Sequence, residues 1–235
     1  MTEIVVTSFS PEGEAQYGKR MTRQFRKYWP CPLIVYVDGP TTVKGCGLLR
    51  TADIPGWLET RDRLPKIAPD MDWYKPTGYL WNAKRFAVKP FVWLDAAEQM
   101  GSGVLTWLDG DTVLESKVTP GWTVKLLGKS DVAYLGRGKM HPETGYVGFR
   151  IPEALPLLRW CRDAYRDETF RALTSGWTDC HVLKAGMKAL KVKALDMTSH
   201  LQERWTSQDD VMSLSPVGRY VSHLKGSERK REAHA

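Results

Sequence analysis

Two aspartates set one residue apart are the part of this sequence best suited to chemistry. Trp107-Leu108-Asp109-Gly110-Asp111-Thr112 follows directly on the apolar run Val104-Leu105-Thr106-Trp107-Leu108. In an extended chain, residues two apart share a face, so both carboxylates can converge on one point. Like charges that close repel unless a cation sits between them, and divalent ions take oxygen ligands of this kind. Gly110 lets the backbone approach a ligand with no side chain in the way. Asp-Gly is also common turn chemistry, so the pair read by itself fits a solvated turn as well.

A second set of groups lies far downstream, in Tyr220-Val221-Ser222-His223-Leu224-Lys225-Gly226-Ser227-Glu228-Arg229. An imidazole supplies a neutral third ligand for a cation. Gly226 permits close backbone approach, and Lys225 or Arg229 can neutralise a leaving diphosphate. The residue types at the two places complement each other, so the fold must bring them together.

The intervening elements are those of an α/β chain. Ile4-Val5-Val6-Thr7 reads as a first strand, residues 14–28 as a helix, and Leu33-Ile34-Val35-Tyr36-Val37 as a second strand ended by Asp38-Gly39-Pro40. A strand–helix–strand opening implies a mostly parallel sheet with helices on its faces. Residues 41–75 carry no clear pattern. Residues 79–99 are expected to be helical, with a kink or split at Pro90. The run 104–108 reads as a central strand, and open α/β sheets place ligands at the carboxyl ends of such strands. A short helix over 118–127 and strands over 132–135 and 145–149 follow. A helix beginning at Pro152 and running to about Tyr165, and another over 177–185, complete the pattern. One domain over residues 1–225 is expected, with a basic tail over 226–235.

Composition narrows the class. The 235 residues are 42% hydrophobic and 26% charged, enough for a packed core rather than a disordered chain. Ten tryptophans are many for this length, so a few could line a groove that handles rings. The net charge of +7 favours polyanionic partners: nucleic acid, phosphorylated ligands or an anionic surface. Cys31, Cys46, Cys161 and Cys180 are scattered without a C-x-x-C pair, which fits reduced thiols rather than a zinc site or a disulfide framework. The chain opens on a strand-like run with no basic, apolar leader, and no membrane span is visible. A cytoplasmic location without membrane attachment is the expectation. No G-x-x-x-x-G-K-[ST] loop is present, against a P-loop NTPase.

Asp109-x-Asp111 after an apolar strand, with a late His223-x-x-Gly226 followed by bases, resembles the GT-A glycosyltransferases related to glycogenin and the bacterial lipopolysaccharide galactosyltransferases. Their D-x-D motif binds metal, and their H-x-x-G-x-x-K motif binds metal and diphosphate. Here Arg229 stands at the final lysine, with Lys230 next, which keeps the charge but blurs which residue does the work. The resemblance implies a Rossmann-like nucleotide-diphospho-sugar transferase fold with a mixed, mostly parallel sheet. It implies Mn²⁺ or Mg²⁺ held by Asp109, Asp111 and His223, and a UDP-sugar donor. Thr7, Ser8 and Asp38 correspond to nucleotide contacts. Arg85 and Lys89 match the basic position aimed at donor sugar and phosphates. Gly110, Thr144, Gly145, Lys225, Gly226 and Arg229 complete the donor set. Thr144-Gly145-Tyr146 is similar to an N-x-G segment beside the sugar, and Trp177-Thr178-Asp179 to a D-Q-D stretch.

The reaction expected is transfer of a sugar to an acceptor hydroxyl, with retention of configuration as in the resembled families. An inverting reaction needs a general base, for which Asp179 and Glu143 are the candidates. Positive charge and aromatic rings suit DNA as acceptor, such as the hydroxymethylated pyrimidines that phage enzymes glycosylate in the host cytoplasm. A glycan, lipopolysaccharide or protein acceptor is the alternative. From other classes, a nucleotidyltransferase also uses paired carboxylates, and a non-catalytic nucleic-acid-binding module would need neither Asp109 nor Asp111.

Overall fold

The runs Glu3–Phe9 (β1), Leu33–Val37 (β2) and Gly103–Leu108 (β4) are apolar on both faces, and both faces are covered. That is the pattern of parallel strands layered between helices. The computed structural model describes residues 1–64, 80–173, 175–200 and 210–223. Its main sheet has seven strands in the order β3-β2-β1-β4-β7-β6-β8. The others are Gly47–Arg50 (β3), Val132–Leu135 (β6), Glu143–Ile151 (β7) and Ala194–Asp196 (β8). All neighbours pair in parallel except β7, which runs antiparallel to both β4 and β6. A two-stranded sheet, Thr112–Leu114 (β5) with Val221–His223 (β9), stands beside it. The α/β class expected from the sequence is what is found.

Alternation along β4 builds the two layers. Leu105 and Trp107 join the core formed with Phe91 and Trp93 of Val88–Met100 (α5) and with Leu157, Leu158 and Cys161 of Leu155–Arg166 (α7). Val104 and Leu108 face the other way, toward Met21 and Phe25 of Lys19–Tyr28 (α2) and Leu127 of Trp122–Leu127 (α6). The residue after Leu108 therefore returns to the α5 side.

Several boundaries differ from expectation, each for a local reason. Residues 14–28 are not one regular helix. Ser10 Oγ accepts from the Gly13 N–H at 3.1 Å to cap a short turn, Pro11–Gly13 (α1), and a π-helical turn, Glu14–Gly18, precedes α2. The 79–99 pattern breaks before Pro90, into Ala83–Phe86 (α4) and α5. Proline has no N–H for the Phe86 carbonyl and crowds it, so the ladder stops there while Pro90 sits in the first turn of α5. The helix expected at 118 starts at Trp122, after Pro120-Gly121. Helix α7 starts at Leu155, with Pro156 in its first turn, while Pro152 lies in the preceding turn. The patternless stretch from 41 contains β3 and the helix Trp57–Arg63 (α3), and residues 65–79 lie outside the described residues. Asp179–Ala189 (α8) begins two residues later than expected.

Packing alone already requires a glycine at 110. A Cβ there would stand 2.3 Å from a Phe9 ring carbon and 3.0 Å from the Tyr17 ring. Gly110→Ala is therefore expected to destabilise the fold by about 1–3 kcal/mol through overpacking. Phe9→Leu in the same chain should recover part of that loss in a denaturant-unfolding double-mutant cycle. Losses that simply add would contradict the contact.

Candidate metal centre

Asp109 stands at the end of β4 on the α5 face, two residues beyond Trp107 on the same side. The Trp107 indole N–H donates to Asp109 Oδ1 at 2.7 Å, and Lys89 Nζ of α5 lies 2.8 Å from the same oxygen. The chain then turns. The Thr112 N–H returns to the Asp109 carbonyl at 3.1 Å and the Thr112 hydroxyl bonds it at 2.8 Å. The two carboxylates thus converge across a four-residue turn, not along an extended strand. The turn is nonetheless sheltered, with the Asp109 and Asp111 side chains only 18% and 14% exposed.

The third group arrives through β9, whose pairing with β5 sets Thr112 opposite His223. His223 Nε2 lies 3.0 Å from Asp111 Oδ1 and 3.8 Å from Asp109 Oδ2. Ligand atoms of Asp109, Asp111 and His223 all fall within 4.8 Å of one another. Two carboxylates and an imidazole are a donor set for Mn²⁺ or Mg²⁺, the imidazole favouring the softer Mn²⁺. The residues fit such an ion. Gly145 opens the space for the His223 ring, since a Cβ there would stand 3.1 Å from Nδ1.

Charge is balanced behind the centre. Lys89 Nζ also lies 3.0 Å from Asp179 Oδ2 and donates to Thr144 Oγ1 at 3.3 Å, and the Thr144 hydroxyl donates to Asp179 at 2.5 Å. Burial opposes the Lys89 charge, but Asp109 and Asp179 outweigh it and hold the ammonium well above its ordinary value. Burial and the neighbouring Asp111 raise the Asp109 carboxyl, against the pull of Lys89 and His223. Burial disfavours a charged His223, yet the Asp111 hydrogen bond and the surrounding carboxylates leave it above 6.5.

The remaining expected site residues are spread along the same sheet edge. Thr7 is fully buried in β1, while Ser8 is half-buried. Asp38, 48% exposed at the end of β2, accepts from Thr51 Oγ1 at 3.3 Å and lies 3.9 Å from Arg61. Glu143, Thr144 and Gly145 open β7, and the Gly145 carbonyl accepts from the Asp109 N–H at 2.9 Å. Asp179, the first residue of α8, is 1% exposed. Arg85 is exposed on α4. Lys225, Gly226 and Arg229 lie outside the described residues.

Sequence reasoning passed over Trp107, Tyr17 and Arg20. The Tyr17 ring covers Gly110, and burial followed by the Asp111 and Asp109 charges pushes its hydroxyl up to about 12. Arg20 feels the charge of Asp111. The available signal was helical spacing: 17, 20 and 24 share a face, and Gln24 Oε1 accepts from the Leu114 N–H of β5 at 3.2 Å.

No protein-family model and no curated protein matches the chain. Among solved structures it is similar to a glycosyltransferase involved in the glycosylation of the major capsid of PBCV-1. The match has a TM-score of 0.55 and 9% identity and spans 100% of both chains. Likeness at that identity shows the fold, the GT-A type of α/β sheet. No helix among the described residues is long and apolar enough to cross a membrane.

The raised pKa of His223 fixes a pH dependence. The protonated ring's stabilising contribution is fully present below 6.5, its unfolded value, and is lost as pH rises through the higher folded value. In chelator-treated protein, thermal stability should fall across that window, and His223→Gln should flatten the fall. Parallel curves for the two proteins would contradict the pairing with Asp111.

Proposed function

We propose that this chain is a metal-dependent glycosyltransferase that moves a sugar from a nucleoside-diphosphate donor, of the UDP-sugar kind, to an acceptor hydroxyl. The observation that carries the reading is the convergence of Asp109, Asp111 and His223 at the carboxyl edge of a GT-A sheet. A divalent ion held by these three supplies Lewis-acid stabilisation of a leaving diphosphate. The nucleoside would lie along the ends of β1 and β2, near Ser8 and Asp38, where such sheets bind ligands. Arg85, on the exposed side of α4, and Arg20 are cations positioned to meet phosphate oxygens. Lys225 and Arg229 would neutralise charge on the same phosphates, with Gly226 permitting close backbone approach.

Lys89, Thr144 and Asp179 form the polar wall facing the sugar. Asp179 is held by an ammonium and a hydroxyl, which makes it a good orienting group. Glu143, at 8% exposure, is equally withdrawn. Transfer with retention, as in the resembled families, is the reading we take. The test is Asp111→Asn in a thermal-shift panel of nucleotide sugars with and without Mn²⁺. Wild-type protein should gain stability with one UDP-sugar only when Mn²⁺ is present, and the variant should lose that gain. Equal shifts in both proteins would remove the metal from the reading.

For the acceptor we propose nucleic acid, with a hydroxymethylated pyrimidine as the receiving base. Helix α2 carries five cations and no acidic residue, and it exposes Lys19, Arg23, Arg26 and Lys27 along one side. Arg20 and Gln24, on the flank beside this stripe, reach toward the site, so a phosphate backbone tracking the helix would pass the centre. The exposed side has no apolar residue to insert into a lipid surface. Replacing the four cations with Gln should weaken binding of a fluorescent oligonucleotide at least tenfold and flatten its salt dependence. Undiminished binding would favour a protein acceptor, as named for the structural neighbour.

A further inference from the structure

The centre described above leaves one nitrogen of His223 unaccounted for. Nε2 faces the aspartates, while Nδ1 is buried and has no hydrogen-bond partner. The nearest charged oxygen to it is Glu143 Oε1, 4.0 Å away. That is about 1 Å beyond hydrogen-bond length. A buried imidazole nitrogen left unmet is costly, and it lies next to a carboxylate.

Glu143 is itself an expensive residue to keep where it is. It is 8% exposed, and Arg137, 3.7 Å from its Oε2, is 4% exposed. Burying an ion pair usually costs more than the pair returns, so such a pair is seldom a stability device. One use of Glu143 is visible, since its Oε1 accepts from the Gly145 N–H at 3.1 Å. That bond needs only an oxygen, and a neutral amide would serve. Nor is Arg137 a loose partner. It is fixed by bonds to the His141 and Pro142 carbonyls at 3.1 and 3.0 Å, inside the loop that joins β6 to β7. The loop is anchored in turn by Lys184 of α8, which donates to the Lys139 and Met140 carbonyls at 3.0 and 2.7 Å.

We propose that Glu143 is the positioning residue of His223: its carboxylate, held by Arg137, accepts a hydrogen bond from Nδ1–H so that Nε2 presents its lone pair to the cation. Metal-bound histidines generally give their second N–H to a carboxylate or carbonyl, which fixes the tautomer and raises the basicity of the ligating nitrogen. Gly145 belongs to the same device, because its missing side chain lets the ring lie over the start of β7 and within reach of Glu143. The sequence Glu143-Thr144-Gly145 thus does three adjacent jobs: it orients the histidine, bonds Asp179 and clears space for the ring. This inference rests on the proposed metal site but assigns Glu143 a task other than proton transfer to substrate.

The experiment is direct Mn²⁺ binding to the full chain, read from the electron paramagnetic resonance signal of free Mn²⁺ and thus independent of sugar transfer. Glu143→Ala should weaken Mn²⁺ binding by roughly 10–100-fold. Glu143→Gln, whose amide oxygen can still accept a hydrogen bond from Nδ1–H, should recover most of that loss, whereas Glu143→Met, which fills the same space without an acceptor, should not. If Glu143→Ala does not fold, Glu143→Asp keeps the charge but draws the carboxylate back from the ring, and about a tenfold loss is expected. Wild-type affinity in the Ala or Asp variant overturns the proposal while leaving the metal site standing, provided His223→Gln still loses binding. A wild-type chain that takes up no Mn²⁺ overturns both.

Discussion

Two aspartates pressed together in a largely dry turn cannot both be charged without compensation, and most of the surrounding structure supplies it. Asp109 is bonded by an indole and an ammonium on its α5 side, and Asp111 by an imidazole on the other. Lys89 sits in the first turn of α5, where a helix dipole disfavours a cation. It is kept there by Asp109 and Asp179 together. The arrangement keeps three ligand atoms within 4.8 Å of one another.

The second dependency is the pairing of β5 with β9. Among the described residues three pairs join them, and they bring His223 within reach of a residue 112 positions earlier. The small sheet is supported by Gln24 of α2 and by Ser116, whose hydroxyl donates to the Arg219 carbonyl at 2.8 Å. Tyr220, just before β9, packs edge-on against Trp122. Thus α2 serves the site on one side as scaffold, while on the other it presents the basic surface assigned to the acceptor.

What the sequence revealed follows physical lines. Strands β1, β2, β4 and β6 were legible because they are continuous apolar runs buried on both faces. Strands β5, β8 and β9 were not, because each is three residues long and defined by its partner rather than by a period. The Asp109–Asp111 pair and His223 could be named from residue type alone, since few other groups hold a divalent ion. Their mode of convergence could not, as it depends on a turn closed by Thr112. The bonds made by Trp107, Arg137 and the Lys89–Asp179 pair were hidden for the same reason. These residues matter through neighbours distant in sequence, and local pattern carries no trace of that. Gly110 was legible as a point of close backbone approach, Gly145 only through the resemblance. Contacts show the first making room for Phe9 and the second for His223.

The most direct measurement is anomalous diffraction from crystals of the full chain soaked in Mn²⁺ at a pH where His223 is neutral. The expected result is one strong anomalous peak bonded by Asp109, Asp111 and His223, with Lys89 still on Asp179. A peak elsewhere, or none at this place while His223 remains hydrogen-bonded to Asp111, would contradict it.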